Sequence, residues 1–246
     1  MFSVLITGSS RGIGLELTKQ FVTHHDPPDT VIATCRNPST ADELRSLMSR
    51  FNNLVILELD VNKVETFPRL VERVTSIVGS SGLNVLINNA GIVSKKSNLE
   101  DVIYDEYLNV LHTNTVAPVF LTQALLPLIK RAAAVNDEKE MCIKKAAVIN
   151  ISSVLGSVSL TTRGYWGYNE SKAALNQASR LLSANVETDG ILVVDIHPGS
   201  VKTDMGGPQA SLTTEESVRE MMDLIYNLSE YENDSFLRFD GEELPW

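Results

Sequence analysis

The sequence has 246 residues, 43% of them hydrophobic, which is enough to bury a sizeable core and ordinary for one α/β domain, so a single domain over 1–246 is expected. Its 31 acidic and 21 basic residues leave a formal net charge of -10 with no clustered basic face, a balance that excludes the usual footprint of a nucleic-acid partner. With two cysteines, Cys35 and Cys142, no leader pattern and no apolar run near about 18 residues, the expectation is a cytoplasmic protein with reduced thiols and no membrane partner.

Short β-branched runs alternate with longer stretches of helical period. Strands are predicted near 2–6, 31–35, 54–60, 84–88, 146–151 and 191–196, with a seventh near 235–239 at one edge. Parallel strands joined by right-handed crossovers require helices on both faces. The expected fold class is therefore α/β: one doubly wound (Rossmann) domain, a three-layer sandwich around a mostly parallel seven-stranded sheet. A long helix is expected from about Asp105 to Lys130, kinked at Pro118. Residues 132–145 read as a helix end and a solvated loop without a catalytic role, and Asp26-Pro27-Pro28-Asp29 as a turn.

The first strand runs into Thr7-Gly8-Ser9-Ser10-Arg11-Gly12-Ile13-Gly14. Glycines there permit a tight turn and let backbone N–H groups approach a pyrophosphate at the next helix N-terminus. Alone, such a turn is as consistent with plain strand-to-helix reversal as with phosphate binding. After the second strand, where an acid would hold the ribose 2′-hydroxyl of NAD, the chain has Cys35-Arg36. Arg36 and Arg11 could clasp a 2′-phosphate, which favours NADP(H) over NAD(H); the other reading of Arg36 is a solvated residue before Asn37-Pro38. Asp60-Val61 closes the third strand and Asn88-Asn89-Ala90-Gly91 the fourth, at the carboxyl ends where open α/β sheets bind ligands, although turn chemistry alone also explains such segments.

On the helix after the fifth strand, Tyr168 and Lys172 are four apart and share a face. An ammonium beside a phenol favours the phenolate, so the spacing predicts a lowered tyrosine pKa and a proton-transfer centre. His24, His25, His112 and His197 have no metal-ligand spacing, and no metal is expected.

The ordered set of Thr7-Gly8-x-x-x-Gly12-x-Gly14, Asn88-Asn89-Ala90-Gly91, Asn114, Ile151-Ser152-Ser153, Tyr168-x-x-x-Lys172 and Pro198-Gly199 resembles the short-chain dehydrogenase/reductase family over essentially the whole chain. It is most similar to the sniffer-like carbonyl reductase branch, including the ending Asp240-Gly241-Glu242-Glu243-Leu244-Pro245-Trp246. The resemblance implies Tyr168 as general acid in reduction, Lys172 on the ribose, Ser153 on the substrate oxygen and Asn114 ordering a proton-relay water. For the cofactor it implies Gly8, Ser10, Arg11, Gly12, Ile13 and Gly14 along the pyrophosphate, Asp60 and Val61 beside adenine, and Asn89, Ala90 and Gly91 along the adenosine side. Pro198, Gly199, Val201 and Thr203 would then lie near the carboxamide.

The implied activity is NADP(H)-dependent reduction of a small carbonyl compound. Oxidation of an alcohol or steroid by the same residues, and an NADP-binding regulator with little turnover, are the alternatives. A homodimer through helices near 106–130 and 168–186 is a further expectation. One departure stands out: 15 residues separate Ser153 from Tyr168, more than is usual in the family, so 155–167 is expected to bulge as an altered substrate loop. Ser152 or Ser157 could then take the place of Ser153, and Tyr165 and Trp166 either line an apolar pocket or pack at an exposed turn.

Overall fold

A computed structural model describes residues 2–94 and 98–246. The strands are β1 (Ser3–Ile6), β2 (Thr30–Cys35), β3 (Leu54–Glu58), β4 (Val85–Asn88), β5 (Ala147–Ile151), β6 (Leu192–His197) and β7 (Ser235–Arg238). Between them run helices α1 (Gly12–Thr23), α2 (Asp42–Arg50), α3 (Phe67–Val78), α4 (Tyr104–Leu111), α5 (Ala117–Val135), α6 (Tyr168–Val186) and α7 (Thr214–Asn227). The strands form one seven-stranded sheet in the order β3-β2-β1-β4-β5-β6-β7, every pair parallel.

Alternation along the strands divides the core in two. Val4 and Ile6 of β1 face one layer, with Leu17 and Phe21 of α1 and Met221 and Ile225 of α7. Leu5 faces the other, with Val74 of α3 and Leu121, Leu125 and Ile129 of α5. This is the doubly wound sandwich that the sequence predicts. The winding reverses between β1 and β4, which opens a crevice at their carboxyl ends.

The long helix departs from expectation. Between α4 and α5 the chain widens into a π-turn at His112–Val116, and Pro118 sits in the first turn of α5, where its missing N–H costs little. The distortion thus falls just before the proline, and it carries Asn114. The whole run Tyr104–Val135 is long and apolar enough to cross a membrane, contrary to the sequence reading. Half of its most apolar window is nevertheless buried in the fold, as befits a core helix.

The chain end ties down the segment that follows Ser153. The Trp246 ring stacks on Phe236 of β7 with centroids 5.6 Å apart, and the Arg180 guanidinium lies 5.3 Å from the Trp246 ring centre. The Trp246 carbonyl accepts from the Ser159 N–H at 3.1 Å and the Ser157 hydroxyl at 3.3 Å. Trp246→Ala should therefore cost about 1–2 kcal/mol in lost ring contacts, or roughly 2–8 °C in Tm. It should also expose 157–167 to limited proteolysis; an unchanged cleavage pattern would show that the strap does not hold the loop.

Candidate active site

The crevice is a cleft of about 600 Å³ lined by the ends of β1 to β6 and the segments that follow them. At the β1 end, the Thr7 hydroxyl accepts from the N–H groups of Asn89 and Ala90, both at 3.0 Å, while Asn89 Nδ2 donates to the Thr7 carbonyl at 2.8 Å and the Gly8 carbonyl at 3.3 Å. These bonds lock the glycine turn to the β4 end. Gly14 packs so closely here that a Cβ would lie 2.5 Å from Asn89 Nδ2 and closer still to the Gly8 carbonyl. The first turn of α1 contains no acidic residue, so its N–H groups and dipole face the cleft without a carboxylate on that turn. Such a surface fits a dinucleotide pyrophosphate.

Of the two arginines, Arg36 is exposed on the cleft wall, and among the described residues no hydrogen bond or ion pair engages its side chain. Arg11 instead pairs with Asp204 at 2.8 Å, their side chains 72% and 76% exposed. Of the two arginines expected to clasp a 2′-phosphate, Arg36 thus has no partner among the described residues, and Arg11 is held across the cleft mouth by a pair worth about 0–1 kcal/mol. Gly8, Ser10, Gly12, Ile13, Asp60, Val61, Asn89, Ala90, Gly91, Pro198 and Thr203 also line the cleft. Gly199 and Val201 do not; Val201 is buried and bridges to Leu212, anchoring the segment that presents Thr203.

At the far end, Tyr168 and Lys172 both face the cleft from the first turns of α6. Helix α6 is started by the Gly167 N–H donating to Glu170 Oε2 at 2.6 Å. Ser153 is brought alongside because the turn Val154–Gly156 packs hard on α6: a Cβ on Gly156 would lie 2.8 Å from Lys172 Cβ. That places the Ser153 hydroxyl close enough to the Tyr168 phenol to favour its ionised form. Ser152 is committed to Asn176 at 2.5 Å, and Ser157 to Trp246. Among the three serines, Ser153 is the one that acts on the phenol.

Lys172 Nζ donates to the Ile151 carbonyl at 2.7 Å and sits 5.9 Å from the Tyr168 ring centre. Burial pulls Lys172 down to about 8, with Asp195 opposing. Burial also pushes the Tyr168 phenol above its ordinary value, and the neighbouring Ser153 hydroxyl pulls it part of the way back. The lowering of Tyr168 by Lys172, expected from their spacing, is not found: desolvation sets the direction, and the ammonium is directed at the Ile151 carbonyl. Asn114 lies behind this pair, its side chain accepting from the Ile92 N–H at 2.9 Å and donating to the Ile92 carbonyl at 2.8 Å and Ser171 Oγ at 3.0 Å. It fixes the segment after β4 against α6 and does not itself line the cleft.

The long segment before Tyr168 borders a second cavity of about 530 Å³, lined by Leu155, Val158 and Trp166 among others; Tyr165 is exposed outside it. Asn62, Lys202 and Asp204 line the cleft and were not singled out from sequence, and the clasp that Thr7 makes with the β4 end was not foreseen. Asn62, Lys202 and Asp204 directly adjoin Val61, Val201 and Thr203, which were expected there, the signal that could have found them.

The short chain dehydrogenase model matches residues 3–213. The structure is similar to the carbonyl reductase Sniffer of D. melanogaster, 42% identical with a TM-score of 0.98 and both chains covered in full. It is also similar to an NADPH-bound carbonyl reductase from chicken fatty liver, 40% identical with a TM-score of 0.95 over 99% of this chain and 94% of that one. In sequence, the C-signal protein of Myxococcus xanthus is 36% identical over 67% of this chain and 93% of its own length. The chain belongs to the short-chain dehydrogenase family and is an oxidoreductase of its sniffer-like carbonyl reductase branch.

Proposed function

We propose that this oxidoreductase uses NADPH to reduce a ketone, aldehyde or quinone to the alcohol, with Tyr168 as general acid. The carrying observation is that Tyr168, with Ser153 acting on its phenol, and Lys172 face the same cleft as a glycine cradle and an Arg36 side chain that has no partner among the described residues. The NADP bound to chicken and bacterial carbonyl reductases supports the cofactor.

In this reading the cradle from Gly8 to Gly14 takes the pyrophosphate and Arg36 the 2′-phosphate. Arg11 joins when it leaves Asp204. Asp60 and Val61 flank adenine, Asn89 to Gly91 follow the adenosine side, and Pro198 and Thr203 approach the carboxamide, with Gly199 and Val201 holding that segment. When bound, the dinucleotide supplies the hydride.

The chain supplies the rest. Ser153 donates a hydrogen bond to the substrate oxygen, and Tyr168 passes its proton to that oxygen as negative charge develops. Lys172 places a cation beneath the phenol and stabilises the phenolate left behind. A phenol raised by burial stays protonated at neutral pH, which suits an acid in reduction better than a base in oxidation. Asn114 holds the cleft wall and the π-turn from which a relay water would be ordered.

The test is loss of reduced-nicotinamide absorbance with NADPH and with NADH, against quinones, diketones, aldehydes and ketosteroids, together with the reverse reaction on their alcohols. Tight NADPH binding with no turnover on any of them would replace the reductase with a regulator. Arg36→Asp should weaken NADPH about 10- to 100-fold, the equivalent of about 1.5–3 kcal/mol for charge-assisted hydrogen bonds, and leave NADH nearly unchanged. Equal losses for both would remove Arg36 from cofactor selection.

A further inference from the structure

Behind Lys172, a carboxyl is sealed inside the sheet. Asp195 lies in the middle of β6 and is completely buried. A buried carboxylate is tolerated only when donors and an opposite charge surround it. Here Asp195 Oδ1 accepts from Ser179 Oγ at 2.5 Å and Asn150 Nδ2 at 3.1 Å. With the Asn176 amide turned so that each of its neighbours is paired, its nitrogen donates to Asp195 Oδ2 at 3.3 Å and to the Lys172 carbonyl at 3.1 Å. Asn150 in turn accepts from Asn88 at 2.8 Å. Asn88, Asn150 and Asp195 are in register on three adjacent parallel strands, so one polar row crosses the sheet beneath α6.

The charged groups that act on Asp195 are Lys172 of α6, which favours the carboxylate, and Asp234 before β7, which opposes it and is itself paired with Arg180 at 3.2 Å. Those facing Lys172 are Asp195 and the Tyr168 phenol. Burial favours the neutral forms of both groups, and each charge offsets part of the other's desolvation; with these partners acting, Asp195 stands raised to about 7 and Lys172 lowered to about 8.

We infer that Asp195 is a positioning residue for the reaction: as a carboxylate held by Ser179, Asn150 and Asn176, it keeps Lys172 a cation in its dry seat beneath the phenol. The inference rests on the reading of Lys172 given above. Asp195 makes and breaks no bond; it supplies a fixed charge. Its removal acts on Lys172 with a definite sign. Without the neighbouring negative charge the ammonium is less favoured, so Lys172 loses its proton at lower pH, and the alkaline limb of kcat/KM moves to lower pH with it.

Asp195→Asn keeps the shape of the side chain. Its carbonyl can accept from Ser179 and Asn150, and its amide can meet the Asn176 oxygen once Asn176 turns over. The Lys172 signal of the full-length protein labelled with [13Cε]lysine, identified by its absence in Lys172→Met, should be titrated by NMR without dinucleotide. In Asp195→Asn the midpoint should fall by about one unit, about a tenfold loss of proton affinity. Ser179→Ala, which removes one donor and so disfavours the carboxylate, should move it the same way by less, and it serves if Asp195→Asn does not fold.

An unmoved Lys172 midpoint in the folded variants overturns the proposal and leaves Asp195 a packing hub, which would change thermal stability alone. A moved midpoint with an unmoved alkaline limb supports the coupling and overturns the assignment of Lys172 to the chemistry.

Discussion

Tyr168→Phe should lower turnover by about 10²- to 10⁴-fold, the usual contribution of a positioned general acid, while NADPH affinity stays close to that of the unaltered protein. The substitution removes one oxygen. The ring keeps its place at the start of α6, the Ser153 hydroxyl retains its bond from the Leu155 N–H at 3.2 Å, and Lys172 still donates to Ile151. No contact along the glycine cradle or Arg36 is touched, so binding and chemistry should separate cleanly. Because burial disfavours the ionised phenol, its loss leaves no buried charge unpaired, and Tm should hardly change. The measurement is kcat with the best substrate of the panel beside the calorimetric Kd for NADPH. Turnover within about tenfold of the unaltered protein, well below a general acid's usual contribution, would sink the role given to Tyr168.

The architecture was legible because each strand is a short apolar run and the sheet alternation is strict: Val4, Leu5 and Ile6 point in turn to opposite layers. The cleft was legible for a related reason, since the residues that make it stand at strand ends and so share a sequence signature. What the sequence hid are relations between distant segments. Arg11 and Asp204 are 193 positions apart, and nothing local to either announces that one engages the other. The choice among Ser152, Ser153 and Ser157 needed the packing of Gly156 on α6. The Tyr168 pKa was misjudged because four-residue spacing reports a shared face but not the burial that dominates there. Asp195 escaped notice for the opposite reason: in Leu192-Val-Val-Asp-Ile-His197 it reads as one polar residue in an apolar strand, and its partners lie on β5 and α6.

Gly14→Ala should be the most damaging small substitution at the cofactor end. In an unconstrained helix the change would stabilise by about 1 kcal/mol. Here the added methyl carbon would meet Gly8 carbon at 2.9 Å, Asn89 Nδ2 at 2.5 Å and the Gly8 carbonyl oxygen closer still. Two of these atoms belong to backbone, and the third is an amide that already donates to Thr7 and Gly8, so none can swing aside freely. Overpacking of this kind costs about 1–3 kcal/mol, more than the helix gains. Strain can be relieved only by moving α1 away from the β1 turn or by breaking the Asn89 bonds, and either displaces the N–H groups that face the pyrophosphate. The protein should therefore remain folded by circular dichroism with a lowered Tm, while NADPH and NADH both bind at least about tenfold more weakly, or about 1.4 kcal/mol. That parallel loss distinguishes the cradle from Arg36, whose replacement should affect NADPH alone. Undiminished affinity for both dinucleotides in Gly14→Ala would mean that the glycine turn is only a strand-to-helix reversal.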